Sequence, residues 1–177
     1  CKIEGRKTTA DIDEPMILDD DLENYDRDEA INYAIYWHDK YNPYYPSFIY
    51  SGDCANFVSQ CLKAGGFQMN EYWHCYTRNQ EKLNPIFVLR SPYSDWEYTP
   101  AWSVAKDQYE YLKNSNIVTD EIIINNPEDI AGAINDPENP VKVGDVMYLK
   151  WDKDYPHHAT IISKIEDDMI SVSYTHL

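Results

Sequence analysis

At 177 residues, with 43% apolar and 14% aromatic side chains, the chain has the composition of a folded domain with its own core, not of a disordered segment. Its 31 acidic against 15 basic residues leave a net charge of −16 and a pI near 4.5, a surface that repels phosphate backbones, so nucleic acid is not an expected partner. No apolar run approaches the roughly 18–20 residues needed to cross a bilayer, and no transmembrane segment is expected.

Residues 1–24 show no period and carry the acidic run Asp19-Asp20-Asp21, which reads as a solvated linker or tail ahead of a domain spanning 25–177. Cys1 has no methionine before it, the mark of either a lipidated N-terminus or a fragment start, and the fragment is the expectation. From Asp26 the pattern turns helical. Asp26 and Glu29 have the spacing of a capping box, and Ala30, Ala34, Trp37 and Tyr41 recur at helical intervals until Pro43, predicting a helix over about 27–41.

After a loop rich in proline and tyrosine, Asp53 is placed to cap a second helix that starts at Cys54. Phe57, Val58, Cys61 and Leu62 form its apolar face, and Gly65-Gly66 stops it. Residues 67–98 yield no element. Thr99-Pro100 opens a third helix with Trp102, Ala105, Tyr109 and Leu112 on one side, and Asn126-Pro127 opens a shorter one to about Ile134. The period then becomes two. Val146–Trp151, His158–Ser163 and Met169–Tyr174 read as strands, with Lys164–Asp168 a polar connector. Helices first and an antiparallel sheet last make an α+β layout.

Four cysteines do not make a disulfide framework for a chain this long. Cys54 and Cys61 stand seven apart, about 10 Å along one helix, too far to bridge. No Cys-x-x-Cys pair exists, so Cys61 and Cys75 read as small buried thiols, and neither metal nor cofactor is expected. Cys54 differs by its place. At the first turn of a helix, unpaired N–H groups and the macrodipole favour a thiolate, the form that acts as nucleophile.

Tyr155-Pro156-His157-His158-Ala159-Thr160-Ile161-Ile162 sets a histidine pair at the start of an apolar strand, a rigid mount for a general base. Asp53 beside the thiol would oppose the thiolate by like charge, so capping is its expected role. Asn56 and Gln60 could polarise an oxyanion, although the Cys54 N–H is the more natural donor.

Gly52-Asp53-Cys54-Ala55-Asn56-Phe57-Val58-Ser59-Gln60, with Ala64-Gly65-Gly66 after it, resembles the nucleophile helix of the amidase-like domain family of bacterial proteins, many of them secreted by Gram-positives. Tyr25-Asp26-Arg27, the Pro100–Ala105 segment, Val143-Gly144-Asp145-Val146 and His158-Ala159-Thr160-Ile161-Ile162 are similar to further family segments, in the same order, over residues 25 to about 170. The resemblance implies a papain-like cysteine hydrolase fold, related to NlpC-type and CHAP cell-wall hydrolases. It implies Cys54 as nucleophile and His158, in preference to His157, as base.

His176 could stand where the family's third polar residue sits, but Val172–Leu177 also resembles translated adapter sequence, and the domain is expected to be truncated here. The third catalytic residue stays unassigned. The expected function is cysteine-dependent amide hydrolysis on peptidoglycan or another peptide amide, by a monomer in the cell envelope or outside the cell. An inactive wall-binding module of the same fold and an amidase-type toxin domain are the alternatives.

Overall fold

The computed structural model describes residues 25–48, 52–78, 95–115, 118–150 and 154–174, so the acidic stretch 1–24 and His176 lie outside the described residues. Helix α1 spans Arg27–Trp37 and starts as expected, with the Asp26 carboxylate accepting from the Glu29 N–H at 3.0 Å. The return half of the capping box does not form. The Asp26 N–H donates instead to the Gly65 carbonyl at 2.8 Å, a tertiary partner that replaces the local one. The helix also ends at Trp37, short of Tyr41, because Lys40 N–H folds back onto the Trp37 carbonyl at 3.2 Å.

Helix α2, Cys54–Ala64, is the centre of the molecule, and every residue from Ala55 to Leu62 is buried. A helix enclosed on all sides must satisfy its polar side chains internally. Asn56 accepts from Trp102 Nε1 at 2.7 Å and donates to the Pro46 carbonyl at 2.8 Å. Ser59 donates to the Trp102 carbonyl at 2.9 Å, and Gln60 accepts from the Tyr33 hydroxyl at 2.6 Å.

In the region that the sequence left unassigned, β1 (Cys75–Thr77) pairs antiparallel with β2 (Trp96–Tyr98). The expected third helix is two. Helix α3 (Pro100–Ser103) closes with the Val104 N–H on the Pro100 carbonyl, Val104 itself is extended (φ −120°, ψ 122°), and α4 follows over Ala105–Asn114. The break changes the buried stripe of α4 to Ala105, Gln108 and Leu112, so Gln108 takes the core position expected of Tyr109. A 3₁₀ turn (Pro127–Asp129) leads into α5 (Ile130–Ile134), as the Asn-Pro signal predicts.

Strands β3 (Val146–Leu149), β4 (His158–Glu166) and β5 (Met169–Ser173) form an antiparallel sheet in that order. The expected connector Lys164–Asp168 shrinks to two residues. β4 runs on to Glu166, and Asp167-Asp168, at φ 50° and 60°, make a left-handed hairpin turn that matches the twist of the strands.

Two apolar clusters flank α2. One gathers Val58, Leu62, Phe67, Trp73, Trp96, Trp102 and Leu112 with Ala159 of β4; the other joins Ala30, Ile31 and Ala34 of α1 to Phe57, Cys61 and Ile161. Trp73 and Trp102 are fully buried, and each is worth on the order of 3–5 kcal/mol against alanine. The architecture is α+β, with the sheet packed through β4 against α2. Among the described residues no helix is long and apolar enough to cross a membrane.

Candidate active site

Cys54 is the first residue of α2 and only partly buried, whereas Cys61 and Cys75 are buried thiols outside any disulfide, as the sequence predicts. The expected capping by Asp53 is absent. Its side chain makes no hydrogen bond to the helix backbone, and Oδ1 accepts from the Phe48 N–H at 2.8 Å and from Asn56 Nδ2 at 2.9 Å. The buried carboxylate thus braces the loop before the helix. Asn56 and Gln60 are taken up by Pro46, Asp53, Trp102 and Tyr33, structural partners that account for their burial.

The Cys54 sulfur lies against β4. Burial pushes its thiol up from the ordinary range, while hydrogen bonds from the backbone amides of Ala159, Ala55 and Cys54 itself pull it down and the Asp53 charge adds to the rise. The net direction reverses the expectation of a helix-start thiolate, because desolvation outweighs the amides. Cys61 is pushed far higher by complete burial and Cys75 up to about 12, so Cys54 remains the most acidic of the three.

Ala159 is the residue after His158, so the strand that touches the sulfur is the strand that starts with the predicted base. Burial, and then the neighbouring His157 charge, depresses the His158 imidazole. With the thiol pushed up and the imidazole pushed down, each group rests neutral near pH 7. His157 sits on the connection into β4, its N–H donating to the Leu149 carbonyl at 3.2 Å. Tyr174 presents an edge to His158, with ring centroids 5.1 Å apart.

Two residues escaped the sequence reading. Tyr148 of β3 stands opposite Ala159 in register, and burial first, then the proximity of Cys54, holds its hydroxyl well above the ordinary range. Its hydroxyl donates to Gln108 Oε1 at 2.9 Å, and Gln108 Nε2 donates to the Ala55 carbonyl at 2.8 Å. A polar residue on an otherwise apolar helical stripe was the available signal for Gln108. Among the described residues no group of three or more His, Cys, Asp or Glu side chains could hold a metal ion.

Comparison with known proteins gives this arrangement a setting. A family model described as "Putative amidase domain" matches residues 24–175. The chain is also similar to a protein of Bacillus subtilis (strain 168) titled "Uncharacterized protein YhbB", 29% identical over 147 residues, 82% of this chain and 39% of that relative. The chain therefore spans about two fifths of the length of that relative. No solved structure matches the chain.

Proposed function

The chain belongs to this family of amidase domains, and from that premise we propose that it hydrolyses amide bonds by a cysteine mechanism, with Cys54 as nucleophile and His158 as base. The observation that carries the reading is the meeting of the Cys54 sulfur, at the first turn of α2, with the amide of Ala159 directly after His158. The fold that goes with it is a papain-like one.

In the proposed cycle the thiol and imidazole rest neutral. As sulfur attacks the carbonyl carbon, the thiol proton passes to His158, and first-turn N–H groups of α2 receive the oxyanion. The tetrahedral adduct collapses to a thioester, expelling an amine that takes the proton back from His158. Water, deprotonated by the same imidazole, then cleaves the thioester and restores Cys54. The sulfur attacks the carbonyl directly, so the cycle has no step that needs a metal.

Resemblance to cell-wall hydrolases makes peptidoglycan peptides, or the muramoyl–peptide amide, the proposed substrate, met in the cell envelope or outside the cell. Purified Gram-positive peptidoglycan should be cleaved in a reaction blocked by iodoacetamide and indifferent to EDTA. New free amino groups would mark an endopeptidase, and released stem peptides a muramoyl amidase. Inhibition by EDTA alone would sink the mechanism. Absence of product from every wall preparation, with Cys54 still reactive, would move the substrate to a protein or a small amide.

A further inference from the structure

Gln108 is fully buried, and both ends of its carboxamide are occupied. Nε2 donates to the Ala55 carbonyl at 2.8 Å and to Ser59 Oγ at 2.7 Å, while Oε1 accepts from the Tyr148 hydroxyl at 2.9 Å. These partners are the neighbours of the sulfur. Ala55 follows Cys54 on α2, and Tyr148 is the register partner of Ala159, whose amide meets the Cys54 sulfur. One side chain of α4 therefore grips the helix side and the sheet side of the same thiol.

We propose that Gln108 is a positioning residue for the nucleophile, coupling the first turn of α2 to β3 and so holding the Cys54 sulfur on the Ala159 amide. The inference rests on the reading of Cys54 as nucleophile. Core filling alone does not call for a glutamine. An apolar residue of similar size, with its partners made apolar too, costs a core little, whereas a buried carboxamide demands directed partners at each end. What glutamine adds is direction inside a cluster whose neighbouring members, Trp102, Leu112 and Ala159, pack through apolar surface. The charged and titratable groups facing the thiol are Asp53 from the preceding loop and Tyr148 from β3, with His158 opening the strand behind the Ala159 amide.

The test reads the thiol itself, not turnover. Alkylation of Cys54 by iodoacetamide is followed against pH by mass spectrometry in the full chain, alongside Tm. The variants are Gln108→Leu and Tyr148→Phe, with Tyr33→Phe as control, since Tyr33 bonds Gln60 on a different face of α2. Loosening the Ala159 amide removes the largest contribution that holds the thiol down, so Gln108→Leu and Tyr148→Phe should move the midpoint upward by about half a pH unit or more. They should also slow alkylation at neutral pH roughly threefold or more. Tyr33→Phe should lower Tm without moving the midpoint. An unchanged midpoint in the first two variants, or an equal shift in the control, overturns the proposal. Should Gln108→Leu fail to fold, Tyr148→Phe cuts the same link with the ring retained and decides alone. A shifted midpoint in a chain that cleaves no wall preparation, protein or small amide would leave the coupling standing and remove the hydrolase reading; active enzyme with unmoved midpoints would overturn the coupling and leave the hydrolase reading standing.

Discussion

The two ends of α2 are built on opposite plans. At the C-terminal end the carbonyls of Cys61, Leu62, Lys63 and Gly65 all find backbone donors. The Phe67 N–H returns to the Leu62 carbonyl at 3.1 Å and the Gly66 N–H to that of Lys63 at 3.2 Å, with Gly66 at φ +106°, which is a complete Schellman stop. Gly65 is pressed against the Tyr25 ring, and its carbonyl takes the Asp26 N–H. At the N-terminal end the residue positioned to cap turns its carboxylate away to Phe48 and Asn56, and the amides of Ala55 and Cys54 are left to the Cys54 sulfur. One end is arranged for stability. The other leaves its backbone dipoles to the Cys54 sulfur, which is what the proposed nucleophile requires.

That contrast predicts that damage at the two ends will separate activity from stability. The largest effect is expected at the open end. Cys54→Ala should abolish hydrolysis, a loss of several powers of ten in kcat, with Tm nearly unchanged. His158→Ala should do the same, whereas His157→Ala should keep most of the activity. Equal losses from both histidines, with unaltered circular dichroism, would undo the choice between them. The pH profile sharpens this further. A depressed imidazole stays neutral to lower pH, so the acid limb of kcat/KM should fall below the ordinary histidine value of about 6.5. Replacing His157 by glutamine removes a charge that contributes to the depression, and the limb should then move upward.

At the closed end the expected effect is on stability alone. A Cβ on Gly65 would lie 2.4 Å from Cε2 of Tyr25 and 2.9 Å from the Asp26 carbonyl oxygen, so either the ring or the start of α1 must shift. Gly65→Ala should cost about 1–3 kcal/mol, a fall in Tm of about 2–4 °C per kcal/mol, while activity per folded molecule stays near wild type. A variant as stable as wild type but with reduced kcat would break the comparison, because it would tie the closed end to the chemistry.

The same contrast explains what could be read from the sequence. The Gly65-Gly66 stop, the apolar face of α2, the buried Cys61 and Cys75 and the three strands β3, β4 and β5 rest on local signals, side-chain period and turn chemistry, and the structure has them, whereas β1 and β2 are not legible in the sequence. The misses come where a distant partner outbids a near one. Glu29 loses the Asp26 N–H to Gly65, and Asp53 turns from the helix to Phe48. Val104 adopts an extended backbone that splits a continuous helical period in two, and Gln108 replaces Tyr109 in the core. The rise of the Cys54 thiol could not be read from its place at a helix start, since the sequence gives no measure of how deeply Tyr148 and Ala159 bury it.

The smallest effect, and the most direct test of the open end, concerns Asp53. Its carboxylate is buried beside Cys54 and disfavours the thiolate by like charge, the last and smallest of the influences on that thiol. Asn keeps an oxygen that can accept from the Phe48 N–H and the Asn56 amide, so Asp53→Asn removes the charge while retaining the brace. The cost in stability should be about 1 kcal/mol, because a bond to a neutral oxygen is weaker than one to a charged oxygen. The sign for the thiol is opposite to that for the fold. With the anion gone its pKa falls, the thiolate fraction below that pKa rises, and alkylation of Cys54 at pH 7 should quicken by roughly two- to fivefold as the midpoint moves down by a few tenths of a unit. A slower reaction would mean that the brace on the 46–48 loop, and not the charge, governs the thiol, and Asp53 would then belong with the closed end of the helix.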